Sequence, residues 1–152
     1  MSAADLHLEP GAALGPWVVE HVDPEHMKTL AILLADPNPI HLDADAARRA
    51  GLGDRVVTQG PASVGFVLNM LTDAAPGATI RDVRVRFTAN VHGGDAVVAG
   101  GSVQQLEEVA GGRAVTCAVW LDVRDGPRAL DGTATLFLPA GRQDHPHHSK
   151  EN

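Results

Sequence analysis

Tyrosine is absent from this chain of 152 residues, and only three phenylalanines and two tryptophans supply its aromatic share of 3%. That is too little for a platform on which bases of a single-stranded nucleic acid could stack. Basic residues are also scarce, 12 Lys and Arg against 19 Asp and Glu, for a formal charge of −7. With no basic stripe to neutralise a phosphate backbone, nucleic acid is not an expected partner. The one cysteine, Cys117, excludes an intrachain disulfide and fits a reducing compartment. No stretch approaches the roughly 18–20 consecutive apolar residues of a membrane span, so no membrane insertion is expected. Residues Met1–Glu9 carry acidic groups and lack the charged-then-apolar layout of a secretory signal, and the expected location is the cytoplasm.

What is present is ordinary for a globular protein: 44% hydrophobic residues and mixed charge, at a length suited to one domain with a sizeable core. Residues 1–14 read as a flexible tail, 15–140 as a single domain, and 141–152, rich in histidine, as a second tail. A short strand is expected near Pro16–His21. Asp23-Pro24-Glu25 then has the signature of a helix start: a side-chain acceptor, a proline at the first helical position and an acid at the positive end of the dipole. Met27, Leu30, Ile32, Leu33 and Leu34 supply that helix's expected buried face, and it must end by Asp36 because Pro37 follows. Asp43 can cap a short helix over Ala44–Ala50 that Gly51 ends. Pro61–Asp73 reads as a third helix, apolar nearly all round and so expected to be buried nearly all round at the centre of the fold.

The remaining sequence reads as strands. From Val83 to Val91 the odd positions are apolar and the even ones are Arg84, Arg86, Thr88 and Asn90, the alternation of a half-buried strand. His92-Gly93-Gly94-Asp95, Ala110-Gly111-Gly112 and Asp125-Gly126-Pro127 are turns separating three further strands, over about 96–107, 115–123 and 130–138, with a bulge or bend expected at Gly100-Gly101. Helices followed by a meander of antiparallel strands give an α+β fold, a curved antiparallel sheet wrapped around one central apolar helix.

Two stretches carry candidate chemistry. In Asp36-Pro37-Asn38-Pro39-Ile40-His41 a carboxylate and an imidazole are held five residues apart by two prolines, which fix their own φ and push the preceding residues toward extended geometry. A stiff loop can hold both groups toward one point for acid–base work on water or substrate; the plain alternative is a capping Asp and a surface His. In Gln59-Gly60-Pro61, glycine allows close backbone approach, and a helix N-terminus can aim its N–H at a polarised carbonyl; the plain alternative is a simple helix start. The oxygens of Asp36, Asn38, Asp43 and Asp45 do not fit a calcium loop, whose glycine position would fall on His41, and no zinc set is present, so neither a metal nor another cofactor is expected. Cys117, alternating with apolar neighbours, reads as core, and Ser63 lacks the sharp elbow of a nucleophile.

Ala35-Asp36-Pro37-Asn38-Pro39-Ile40-His41-Leu42-Asp43, with Ala47, Gly51 and Thr58-Gln59-Gly60-Pro61-Ala62, resembles the MaoC-like hydratases and dehydratases, whose motif has the form D-x-N-P-hydrophobic-H. Val83–Phe87 and Val91–Asp95 are similar to that family's strand and Gly-Asp turn. The resemblance implies a hotdog fold and a homodimer with its thioester sites near the subunit interface. It implies that Asp36 and His41 are the catalytic pair, that Asn38 shapes or polarises the site, and that the Gly60 N–H binds the thioester carbonyl beside Gln59 and Pro61. The implied reaction adds water to a trans-2-enoyl thioester of coenzyme A or an acyl-carrier protein, or removes it from an (R)-3-hydroxyacyl thioester. Many relatives have His-Gly-Met where this chain has Gln59-Gly60-Pro61, and some carry a helix serine where it has Gly65–Leu68. These departures leave open a non-catalytic acyl-binding subunit of a hetero-oligomer; a thioesterase is disfavoured by the Asp-to-His loop.

Overall fold

The computed structural model describes residues 8–140; of the tails expected at 1–14 and 141–152, residues 1–7 and the whole of the second lie outside the described residues. In chain order the elements are β1 (Ala13–Val19), α1 (Pro24–Leu34), a single 3-10 turn (Pro39–His41), α2 (Ala44–Arg49), α3 (Gly60–Ala74), β2 (Thr79–Phe87), β3 (Val97–Val109), β4 (Gly112–Val123) and β5 (Arg128–Pro139). The five strands form one antiparallel sheet in the order β1-β3-β4-β5-β2. α3 lies against it and touches β1, β2, β3 and β4.

The expected meander holds for β3, β4 and β5 only. β2 pairs with β5 at the far edge, so the segment 88–96 carries the chain from that edge back to β3. β2 also starts and stops earlier than its alternation suggests. Beyond Phe87 the N–H groups of Thr88 and Ala89 both turn to the Ala129 carbonyl, and Val91 leaves the sheet to accept from Thr58. At the other end β1 begins at Ala13, and Leu8 and Leu14 are buried, so ordered structure starts inside the stretch expected as a tail. Gly11 and Gly15, both at positive φ, break the alternation that would have marked these residues as strand.

The irregularity expected at Gly100-Gly101 lies on the β1 side only: the register shifts between the Leu14–Gly101 and Trp17–Ala99 pairs, so that Gly15-Pro16 stand opposite Gly100. Toward β4 both glycines pair regularly with Trp120 and Val119, and that register shifts between Val103 and Gln105. What demands glycine is close approach: a Cβ on Gly100 would sit 2.8 Å from the Trp120 indole nitrogen, and one on Gly101 2.7 Å from the Ala118 carbonyl oxygen.

The core is the inner face of the sheet closed by one stripe of α3. Val67, Met70 and Leu71 of the helix pack with Val97, Ala99, Val103, Val115, Cys117, Val119, Leu121, Leu130, Leu136 and Leu138. Cys117 is fully buried, and desolvation pushes its thiol up to about 11. α3 is not buried all round: Val64, Phe66 and Leu68 are half-covered, while Pro61, Asn69, Thr72 and Asp73 face out. α1 departs further from expectation. Its buried residues are Met27 and Ala31, one turn apart, whereas Ile32 is 81% and Leu33 76% exposed. A stripe at a 3.6-residue period cannot also include two positions rotated by about 100° and 200° from Ala31. No helix of the described residues is long and apolar enough to cross a membrane.

Candidate active site

The chain enters the Asp36 loop through a left-handed residue. Ala35 caps α1 at φ 49° and ψ 41°, and Asp36 N–H returns to the Ala31 carbonyl at 2.9 Å, so the loop departs sharply from the helix end. Two side chains then organise it. Asp36 Oδ1 accepts from Asn38 N–H at 3.2 Å, and Asn38 Oδ1 caps the 3-10 turn by accepting from Ile40 N–H at 3.3 Å. Pro39 occupies the first position of that turn, where its missing N–H costs nothing. The placement of Asn38 is therefore architectural: its oxygen shapes the loop, and the residue itself is exposed.

The loop delivers His41 into a buried position. Its Nδ1 lies 2.6 Å from the Val57 carbonyl oxygen. A carbonyl only accepts, so Nδ1 carries the proton and Nε2 of the neutral ring presents its lone pair. Nε2 faces Asp36 Oδ2 at 3.5 Å, and the Asp36 side chain is about one-third exposed. A neutral imidazole with this tautomer and a carboxylate are two acceptors at short range, able to take both protons of one water between them; with Nε2 protonated they form an ion pair. Val57 grips the loop twice, because its N–H also donates to the Ile40 carbonyl at 3.0 Å.

Three residues after Val57 the chain starts α3. Gln59 is the N-cap but makes no side-chain cap bond; its buried amide reaches across and donates to the Met27 carbonyl of α1 at 2.9 Å. The N–H groups of Ala62 and Ser63 both use the Gln59 carbonyl, and Pro61 has none. Gly60 N–H is thus the donor of this first turn left without a partner among the described residues, as a helix start requires of some donor. A Cβ on Gly60 would lie 3.0 Å from Phe87 Cζ, so the ring tip at the end of β2 covers the glycine. The side-chain amide oxygen of Gln59 and the Thr58 hydroxyl are buried without hydrogen-bond partners among the described residues.

Val57 and Thr58 connect the two halves. Asp36, His41 and Gln59 nonetheless open on different concavities. A groove of about 530 Å³ runs from Asp36 over Ile32, Ala35 and Leu42. A hollow of about 340 Å³ borders His41, Lys28 and Arg55. A cavity of about 350 Å³ between β1, α1 and α3 is bounded by Met27, Leu30, Thr58, Gln59, Ala62 and Phe66. Sequence reading missed Val57 and Phe87. Val57 acts through its carbonyl, which leaves no trace in residue type; Phe87 gave only the sign of an apolar residue closing an alternating strand.

The chain is similar in sequence and in fold to known proteins. The chain is 29% identical over 108 residues to the mitochondrial 3-hydroxyacyl-acyl-carrier-protein dehydratase FERN of Solanum lycopersicum, a match covering 71% of this chain. It spans 65% of that protein's length. Among solved structures, the (R)-hydratase from A. caviae involved in PHA biosynthesis superposes with a TM-score of 0.78 at 24% identity, covering 88% of this chain and 98% of that one. A Mycobacterium tuberculosis protein described as having a double hotdog fold superposes with a TM-score of 0.68 at 21% identity, covering 84% of this chain and 38% of that one. The architecture is the hotdog fold, the α+β arrangement expected from the sequence. The MaoC-like domain matches residues 8–123, and the chain belongs to that family.

Proposed function

We propose that this protein is a hydro-lyase that adds water to a trans-2-enoyl thioester and, in reverse, dehydrates an (R)-3-hydroxyacyl thioester, carried on coenzyme A or an acyl-carrier protein. The observation that carries the reading is His41, proton fixed on Nδ1 by Val57 and Nε2 turned to Asp36 at 3.5 Å. Membership of the MaoC-like family and likeness to a 3-hydroxyacyl-acyl-carrier-protein dehydratase supply the substrate class.

In the hydration direction a water donates to Asp36 and His41 while its oxygen bonds to C3. The C2–C3 π electrons move toward the thioester oxygen, giving an enolate that accepts from Gly60 N–H. The proton taken from water is then delivered to C2 as the enolate collapses, so the net change is addition of H and OH. A positioned oxyanion donor is worth roughly 3–4 kcal/mol in such a step, and general acid–base help roughly 10²–10⁴-fold in rate. A homodimer suits the fold, because β2 is an edge strand and Phe87 at its end is 54% exposed beside Gly60.

The test is loss of enoyl absorbance with a panel of enoyl-CoAs of differing chain length, for wild type and for folded Asp36→Ala and His41→Ala. Both variants are expected to lose turnover. Near-wild-type turnover in both would remove the catalytic assignment. Light scattering checks the dimer.

A further inference from the structure

The geometry points to Asp95 as a positioning residue that fixes the protonation pattern of His41 from the far side of the Val57 segment. This inference rests on the proposed role of His41. The His41 tautomer depends on one carbonyl, that of Val57, and residues 52–58 belong to no helix or long strand. Something other than local secondary structure must hold that carbonyl in place.

The turn His92-Gly93-Gly94-Asp95 does so. Val57 bridges to His92, Thr58 N–H donates to the Val91 carbonyl at 2.7 Å, and Gly93 N–H donates to the Val56 carbonyl at 2.9 Å. His92 Nε2 donates to the Leu52 carbonyl at 2.8 Å, and Arg55 donates to the Gly93 carbonyl at 2.9 Å. The node of this set is the Asp95 carboxylate, whose side chain is only 10% exposed. One oxygen accepts the His92 N–H at 2.9 Å and the other accepts from Arg55 at 2.7 Å. Asp95 thus ties the turn to itself and to the segment it grips. Its main chain extends the grip to the start of α1, with Val22 N–H on the Asp95 carbonyl and Gly94 N–H on the Val22 carbonyl, each at 2.8 Å. Gly93 leaves no slack: a Cβ there would meet Pro24 Cγ at 2.8 Å and Val56 Cγ2 at 3.0 Å.

A charged, nearly buried acceptor with two donors is costly to weaken. In Asp95→Asn the charge is lost and only one of the two oxygens remains an acceptor, so the 92–95 turn loosens against residues 52–58. The Val57 carbonyl then holds Nδ1–H less strictly, and the neutral His41 ring samples the tautomer with its proton on Nε2. Asp95 touches no substrate in this scheme; it acts through Val57.

The test measures ¹⁵N side-chain shifts of His41 and enoyl-CoA hydration in wild type, Asp95→Asn and Arg55→Gln, with Asp122→Asn, which weakens the exposed Asp122–Arg128 pair joining β4 to β5 at 2.7 Å, as the control. Arg55→Gln keeps the readout available should Asp95→Asn fail to fold, since Arg55 is half-exposed. Wild type is expected to show His41 protonated on Nδ1, and both variants a mixture, with kcat lower by about tenfold or more and KM within about twofold. The control changes neither. An unmoved His41 tautomer in every folded variant, even with a lower melting temperature, overturns the inference. The tautomer is read without turnover, so failure of the proposed reaction, seen as active His41→Ala, is a separate result.

Discussion

The two halves of the site are held by opposite means. Asp36 and His41 sit on a loop that ties itself together: Asp36 to Asn38, Asn38 to Ile40, prolines between them, and one outside residue, Val57, closing the set. The Gly60 half has almost no local support. Its N-cap side chain spends its hydrogen bond on Met27, 32 residues away, and its glycine is covered by Phe87 from the end of an edge strand. The proposed acid–base pair is thus shaped within its own loop except at Val57, whereas the proposed oxyanion donor is placed by tertiary packing. Damage to the loop should abolish chemistry with the fold intact, and damage around Gly60 should divide into effects on the donor and effects on its surroundings.

The largest effect belongs to the loop. His41→Ala should lower kcat by roughly 10²–10⁴-fold with a melting temperature close to wild type, read by enoyl absorbance and thermal unfolding. Next comes a pair at Gly60. Gly60→Pro deletes the N–H at a first helical position that tolerates proline, and Gln59, at φ −61° and ψ 141°, already has the extended backbone a following proline demands. It should cost about 10²–10³-fold in kcat. Gly60→Ala retains the N–H and asks only that the Phe87 ring tip give way by a few tenths of an ångström, so its loss should stay under about tenfold. Equal losses in the two variants would mean that space, not the donor, is what Gly60 supplies.

That contrast also explains what the sequence disclosed. The Asp-Pro-Asn-Pro-Ile-His loop was legible because proline geometry and side-chain caps act within a few residues, and the structure builds it from those contacts. The start of α1 was legible for the same reason, with Asp23 accepting from Glu25 N–H at 2.9 Å. The hidden parts are long-range. Ile32 and Leu33 looked like core because they are apolar, and only packing of α1 shows that Met27 and Ala31 take the inward stripe. The edge position of β2 could not be read from its alternation, which is the same whether β3 or β5 lies beside it. Gln59 gave no sign of bracing one helix against another.

Gln59→Leu sharpens the comparison at modest cost. Leucine keeps most of the buried volume and removes both the bond to the Met27 carbonyl and an amide oxygen that has no partner. The lost bond destabilises by about 1 kcal/mol, and release of the unpartnered oxygen offsets part of it. For a protein of this size that is a fall in melting temperature of at most about 2–4 °C, with kcat changed less than in Gly60→Pro.

The smallest effect on turnover is expected from the sheet core. Burial holds the Cys117 thiol protonated up to about 11, against 9.0 in the unfolded chain. The sign follows from which state loses its proton first. Below pH 9 both states hold the proton and Cys117 contributes no pH dependence. As pH rises from 9 through 11 the unfolded chain ionises while the folded one does not, and stability falls across that window. Cys117→Ala should flatten this part of a stability–pH curve measured by urea unfolding, while creating a small cavity that lowers stability equally at all pH values. In the native protein at pH 8 the thiol should resist alkylation until the chain unfolds. Fast labelling of folded protein would mean that the sheet around Val115, Cys117 and Val119 opens more readily than its complete burial implies.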